Sequence, residues 1–188
     1  MKTTLLLIDI QNDYFAGGRN PLVNAEQAAD QAARALTSFR GKNLPVFHIQ
    51  HISLQDGATF FLPDTDGCKI YQGVLPEQGE PVIVKHTPDS FFQTDLHERL
   101  TAQKIERLYI CGMMSHMCID TSVRVAKRLG YSVCVLEDAC AAKDLVWNGE
   151  AIPADIVHKT FMASLRGTIA EIMKENDIIK ENWYENCE

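Results

Sequence analysis

The sequence has no run of lysine or arginine and carries a formal net charge of −7. It therefore lacks the concentrated basic surface that phosphate backbones need, which argues against a nucleic-acid partner. It also lacks a long apolar run at its start. The stretch from Met1 reaches the charge of Asp9 after a handful of apolar residues, too few for a signal-peptide core or a membrane span. The expectation is a cytoplasmic chain without membrane association, in which Cys68, Cys111, Cys118, Cys134, Cys140 and Cys187 stay free. No cysteine pair has zinc-finger spacing, so a structural metal is not expected. There is no internal repeat, low-complexity tract or convincing linker. No Gly-x-Gly-x-x-Gly follows the first apolar run, whose nearest glycine pair is Gly17-Gly18. That weighs against a nucleotide- or flavin-binding module, although the strand and helix pattern alone fits one.

What is present suits one globular domain over residues 1–188, with 46% apolar and 23% charged residues and enough length for a substantial core. Short apolar runs alternate with longer amphipathic segments, the pattern of strand–helix–strand units in a parallel sheet. The runs are Thr4–Ile10, Pro45–His51, Pro81–Lys85, Arg107–Gly112, Ser132–Glu137 and, more weakly patterned, Thr168–Met173. Ile8, Val82–Val84 and Val133–Val135 lack polar alternation, as in strands covered on both faces. Helical patterning fits Asn24–Arg40, Thr94–Gln103, His116–Leu129 and Pro153–Leu165, with Gly130 placed for a left-handed cap. The segment Ser53–Glu80 has no sustained periodicity, and a stretch of that length is usually a functional loop or lid.

Ligands of open parallel sheets bind outside the carboxyl ends of the strands. Three such ends carry reactive groups: Asp9, Lys85 and, shortly after Gly112, Cys118. Ser115 reads as an N-cap that puts Cys118 in the first helical turn, where the dipole and free amides lower a thiol pKa and can hold an oxyanion. The competing reading is a packed thiol like Cys111. Asp9, a carboxylate at a partly buried strand end, can act as general base; the alternative is a structural carboxylate bonding loop amides. Lys85 can stabilise negative charge beside both, or be an ordinary solvated lysine. Phe15, His51, Phe91 and His116 flank these positions and are candidate substrate contacts, though an aromatic beside a strand is more often core.

Three segments in this order resemble the isochorismatase-like hydrolases. Leu6-Leu7-Ile8-Asp9-Ile10-Gln11-Asn12-Asp13-Tyr14-Phe15 is similar to that family's first-strand motif, and Gly79-Glu80-Pro81-Val82-Ile83-Val84-Lys85 with Ser90–Leu96 to its lysine motif. Cys111–Ser122 resembles its nucleophile turn, and Leu136–Ala141 the strand end that follows. The resemblance implies a Rossmann-like three-layer α/β/α sandwich with a six-stranded, mainly parallel sheet. It implies a cysteine hydrolase of amidase type in which Asp9, Lys85 and Cys118 form the catalytic triad. It further implies a non-proline cis peptide between Met113 and Met114, aiming the Met114 amide, with that of Cys118, into an oxyanion hole.

Two departures shape the expectation. Nicotinamidases of this superfamily carry an Asp-x-His metal motif after the second strand, where this chain reads Phe47-His48-Ile49-Gln50-His51 without the aspartate. His48 and His51 are three apart on a strand and point to opposite faces, so no catalytic metal and no cofactor are expected. Isochorismatases proper lack the nucleophilic cysteine, so Cys118 favours cleavage of a small-molecule amide or related C–N bond over a vinyl ether. The rival keeps the fold but lets Asp9 and Lys85 act without a covalent step. The apolar residues of Ser53–Glu80 and of the tail, among them Phe60, Phe61, Trp183 and Tyr184, call for cover by a lid arrangement or by another subunit; a homo-oligomer is the expectation.

Overall fold

Uninterrupted apolar segments set the sheet. In the computed structural model, which describes residues 1–178, strand β1 (Thr3–Ile8) is buried along its whole length. It lies between β2 (Val46–His51) and β4 (Arg107–Met113), and β3 (Val82–Lys85), β5 (Ser132–Ala141) and β8 (Glu171–Met173) complete a six-stranded sheet in the order β3-β2-β1-β4-β5-β8. Every pairing is parallel. The strand order reverses between β1 and β4, and the crevice above their carboxyl ends is where such sheets bind ligands.

Helices cover both faces, giving three layers. Helix α1 (Ala25–Gly41) turns Ala28, Ala32, Leu36 and Phe39 onto Leu5, Leu7 and Tyr109. Its alanines at helical spacing let the helix sit close to the strands. On the other face α2 (Leu96–Ala102), α3 (Asp120–Arg128) and α4 (Ala154–Leu165) pack Leu100, Val123 and Leu165 against Leu6, Phe47 and Ile110. Gly130 takes a φ of 96° just beyond α3, as its position predicts. A short α5 (Glu175–Ile178) follows β8 and buries Ile178 on the α1 side. Ile179, Trp183, Tyr184 and Cys187 lie outside the described residues. No helix among the described residues is long and apolar enough to cross a membrane.

Two features differ from the sequence reading. Strand β3 was expected to be covered on both faces, but it lies at the sheet edge, where Val82 and Val84 are about two-fifths exposed while Ile83 is buried. The second is an antiparallel hairpin, β6 (Leu145–Trp147) and β7 (Glu150–Ile152). Its turn, Asn148-Gly149, has φ of 51° and 83°, the two positive values that make Asn-Gly a hairpin signal.

The segment Ser53–Glu80 folds onto its own chain. Phe61 and Val74 enter the α1-side core, Phe15 stacks on Tyr71 with centroids 3.7 Å apart, and Tyr14 meets Phe61 edge-on at 4.6 Å. Much of the apolar surface of this segment is therefore satisfied within the chain; Leu54 and Leu75 stay exposed.

Candidate active site

The site begins where β1 stops. Asp9 adopts a φ of 54°, a left-handed conformation that costs a non-glycine residue about 1–3 kcal/mol and persists where surroundings fix it. Here its amide donates to the Ile49 carbonyl at 3.0 Å, and its side chain is fully buried. Lys85, at the end of β3, places Nζ 2.8 Å from Asp9 Oδ2, with both side chains fully buried. The ammonium also donates to the carbonyls of Thr87 at 2.9 Å and Pro88 at 3.3 Å. Burial pulls the lysine pKa down, but Asp9 and then Cys118 outweigh it, and the net shift is upward. The lysine stays charged, and the aspartate stays paired with it.

Between them, at the end of β2, stands His51. Its Nδ1 is 3.4 Å from Lys85 Nζ and 4.0 Å from Asp9 Oδ2. A ring nitrogen facing an ammonium can only accept, so Nδ1 carries the lone pair and Nε2 the proton. Burial first, with the positive Lys85 and the neighbouring His86 adding to it against the opposing pull of Asp9, lowers the His51 pKa to about 4, leaving the ring neutral at physiological pH. His51 Nε2 and Asp9 Oδ1 are buried with no hydrogen-bond partner. Buried polar atoms in this condition cost free energy unless a ligand completes them.

Cys118 arrives from β4 through a turn that needs Gly112. That residue has a φ of 130°, and any Cβ there would fall on the Ile8 carbonyl oxygen of the neighbouring strand. The Met113–Met114 peptide is cis. A π-helical turn, Ser115–Ile119, then leads into α3. It sets the Cys118 sulfur, an Asp9 carboxylate oxygen and a His51 ring nitrogen within 4.8 Å of one another. Ser115 is not the N-cap that its position suggested. Met114 holds the cap position, while the Ser115 hydroxyl reaches the Ala141 carbonyl at 3.1 Å and His158 Nδ1 at 2.8 Å. The predicted acidification of the thiol is reversed as well. Burial, then the Asp9 charge, push the Cys118 pKa up against the opposing Lys85, so desolvation outweighs the helix terminus.

The structure therefore brings Asp9, Lys85, Cys118 and His51 together. Phe15 is buried against Tyr71, Phe91 stacks on Tyr131 at 6.3 Å, and His116 lies 6.0 Å from Phe161 with its Nδ1 unpartnered. His48 points to the other face of β2, as alternation requires, and meets Glu80 at 2.9 Å.

Other polar residues of the motifs proved to be organisers. Gln11 donates to the carbonyls of His51 at 2.8 Å and Cys68 at 2.7 Å and accepts from the His51 amide at 2.7 Å, tying β2 to the long loop. Asp13 accepts from the amides of Phe61 at 2.6 Å and Arg19 at 3.1 Å, and a Cβ at Gly67 would strike its carboxylate. Ser90 and Ser122 share a 2.7 Å hydrogen bond that pins the segment after Lys85 to α3. The signal for Gln11 and Asp13 was their place in a motif just beyond a buried strand. Ser90 and Ser122 also stand in the quoted motifs, but nothing in their spacing showed that they meet.

Comparisons with known proteins agree with this geometry. Residues 3–177 match the isochorismatase domain family. The isochorismatase family protein YddQ of Bacillus subtilis (strain 168) is 48% identical over 180 residues, covering 96% of this chain and all of that protein. The crystal structure of an isochorismatase from Pseudomonas putida KT2440 superposes with a TM-score of 0.88 at 33% identity, covering 94% of this chain and 89% of that one. Two relatives are named for a reaction. Streptothricin hydrolase of Streptomyces noursei is 32% identical over 143 residues, covering 75% of this chain but half of that protein. Nicotinamidase 3 of Arabidopsis thaliana is 25% identical over 169 residues, covering 84% and 80%. The architecture, the order of the motifs and these matches converge: the chain belongs to the isochorismatase-like hydrolase superfamily.

Proposed function

We propose that the chain is a cysteine hydrolase that cleaves a small-molecule amide or related C–N bond through a covalent acyl-enzyme on Cys118. One observation carries the reading: a fully buried Asp9–Lys85 ion pair beside a thiol, with one carboxylate oxygen left unpartnered. The raised thiol pKa keeps Cys118 protonated at rest, so its proton leaves only as the sulfur attacks. Asp9 accepts that proton while sulfur bonds to the substrate carbonyl carbon. The oxyanion is held by the amides of Met114 and Cys118, and Lys85 balances the charge. Collapse breaks the C–N bond, the amine takes the proton from Asp9, and a water activated by Asp9 hydrolyses the thioester. Names of relatives such as Nicotinamidase 3 are in keeping with C–N chemistry.

Among the flanking residues, His51 is the substrate contact we favour. Its buried Nε2–H lacks an acceptor, and a substrate oxygen next to the scissile bond would supply one; His116, with an unpartnered Nδ1, is a second contact. Phe15 and Phe91 already have ring partners and would act by shaping walls. We also propose a homo-oligomer, whose contacts would cover Val82 and Val84 on the β3 edge and Val146 and Trp147 on the hairpin. Light scattering near micromolar concentration tests it, with a clean monomer as the contrary result. The free thiols of Cys68, Cys111, Cys118 and Cys140 suit a reducing cytosol.

The function is tested by screening small amides, ureido compounds and lactams for ammonia or amine release with wild type and Cys118→Ala. Release that depends on Cys118 is expected. Release undiminished in Cys118→Ala would replace the covalent reading with one in which Asp9 and Lys85 suffice.

A further inference from the structure

The donors around Lys85 share a property that the hydrolytic reading does not use. Three lone-pair donors gather around one cation: the Asp9 carboxylate 2.8 Å from it, the unprotonated His51 Nδ1 at 3.4 Å, and the Cys118 sulfur, which lies within 4.8 Å of a donor atom of each of the other two. We propose that Asp9, His51 and Cys118 form a binding site for a soft divalent cation such as zinc, kept shut in the resting protein by the Lys85 ammonium. Its existence does not depend on the Cys118 chemistry proposed above, although inhibition would follow if that chemistry holds.

Sulfur, imidazole nitrogen and carboxylate oxygen are the ligand types zinc takes, at about 2.3, 2.0 and 2.1 Å, which places tetrahedral ligands about 3.3–3.8 Å apart. The three donor atoms already lie within 4.8 Å of one another, so closing on an ion asks for shifts of about 1 Å or less. Asp9 supplies the independent sign of a missing partner, being fully buried with Oδ1 unbonded. The thiolate selects zinc or cobalt over magnesium and calcium.

Charge explains why the site is latent. An aspartate, a lysine ammonium and a neutral thiol sum to zero, and so do an aspartate, a thiolate, a neutral imidazole and a divalent ion. Metal binding therefore releases the Cys118 proton to solvent as the sulfur–metal bond forms, and Lys85 must swing out or give up a proton, because it would otherwise be an uncompensated buried charge. Affinity should rise with pH.

Cobalt(II) serves as the probe, since thiolate ligation produces a near-ultraviolet charge-transfer band. Wild type, Cys118→Ser, His51→Ala and Lys85→Met are titrated with cobalt at pH 8, with circular dichroism confirming the fold of each. One equivalent is expected to bind wild type with a thiolate band that Cys118→Ser abolishes and His51→Ala weakens. In Lys85→Met the affinity should tighten by about tenfold or more, because the competing cation is gone. Should Lys85→Met fail to fold, the wild-type titration with its two controls decides alone. Absence of a band in wild type at millimolar cobalt, or a band that persists in Cys118→Ser, would overturn the proposal. So would a folded Lys85→Met that binds no tighter than wild type.

Discussion

Strand β2 carries two histidines, each beside a carboxylate that pairs with a basic side chain, and their environments differ sharply. On the α1 face His48 bonds Glu80 at 2.9 Å, and Glu80 also takes Arg40 Nε and Nη2 at 2.7 Å each and the Glu77 amide at 2.9 Å. Every oxygen of that carboxylate is used. On the other face His51 meets Asp9 and Lys85. One ring nitrogen is unpartnered on each histidine, His48 Nδ1 and His51 Nε2, but only in the second cluster is a carboxylate oxygen, Asp9 Oδ1, buried without a partner. The first cluster clamps the end of the long loop to α1 and the sheet, while the carboxylate of the second is left incomplete. Carboxylates whose oxygens are all used hold folds together, and a buried one left incomplete in a crevice awaits a ligand.

The largest test of that contrast is activity. Asp9→Asn and Cys118→Ala should each lower kcat by about 10³-fold or more, in the range of a lost general base or nucleophile, whereas Glu80→Gln should leave kcat essentially unchanged. Steady-state kinetics on any amide that is turned over would decide. Equal losses in all three would erase the distinction between the clusters.

Stability should also separate them. Lys85→Met strands Asp9 as an unpaired buried charge and should cost about 3–5 kcal/mol. Glu80→Gln, in a cluster partly open to solvent, should cost about 2 kcal/mol. Denaturant titrations of the two variants measure both. A Lys85→Met variant as stable as wild type would show that the inner pair is not under the strain of burial described.

A smaller effect is the acid limb of stability. Burial would raise the Glu80 pKa, but Arg40, the Glu77 amide and His48 together hold it at about 2, below its ordinary 4.5. A depressed carboxylate contributes stability fully above the ordinary value and loses it as pH falls from 4.5 towards 2. His51, lowered from 6.5 to about 4 by burial, likewise favours the fold above 6.5 and loses that contribution as pH falls towards 4. Glu80→Gln should flatten the lower window and His51→Ala the upper one. Smallest of all, Trp147→Ser on the exposed hairpin should change monomer stability by about 0.5 kcal/mol or less.

Much of this was legible in the sequence because it rests on strand ends. Asp9, Lys85 and Cys118 close or follow apolar runs, and a parallel sheet gathers such ends above its switch point. The six runs became the six strands, including the weakly patterned one near Glu171. What escaped depended on long-range placement. The exposure of Val82 and Val84 follows from β3 being an edge, which no local pattern encodes. The direction of the Cys118 shift reflects desolvation by the whole surrounding core, whereas the sequence displayed only the helix terminus. Gln11, Asp13 and Glu80 act through partners up to 57 residues away, as Gln11 does with Cys68.

The central claim is that the incomplete cluster reacts through Cys118, and it is tested most directly by intact-mass spectrometry of the protein quenched during turnover of an amide. The account predicts a mass increase equal to the acyl portion of the substrate, mapped to Cys118 and absent in Cys118→Ala. Sustained turnover by Cys118→Ala, with no adduct on the wild-type protein at any quench time, would contradict it.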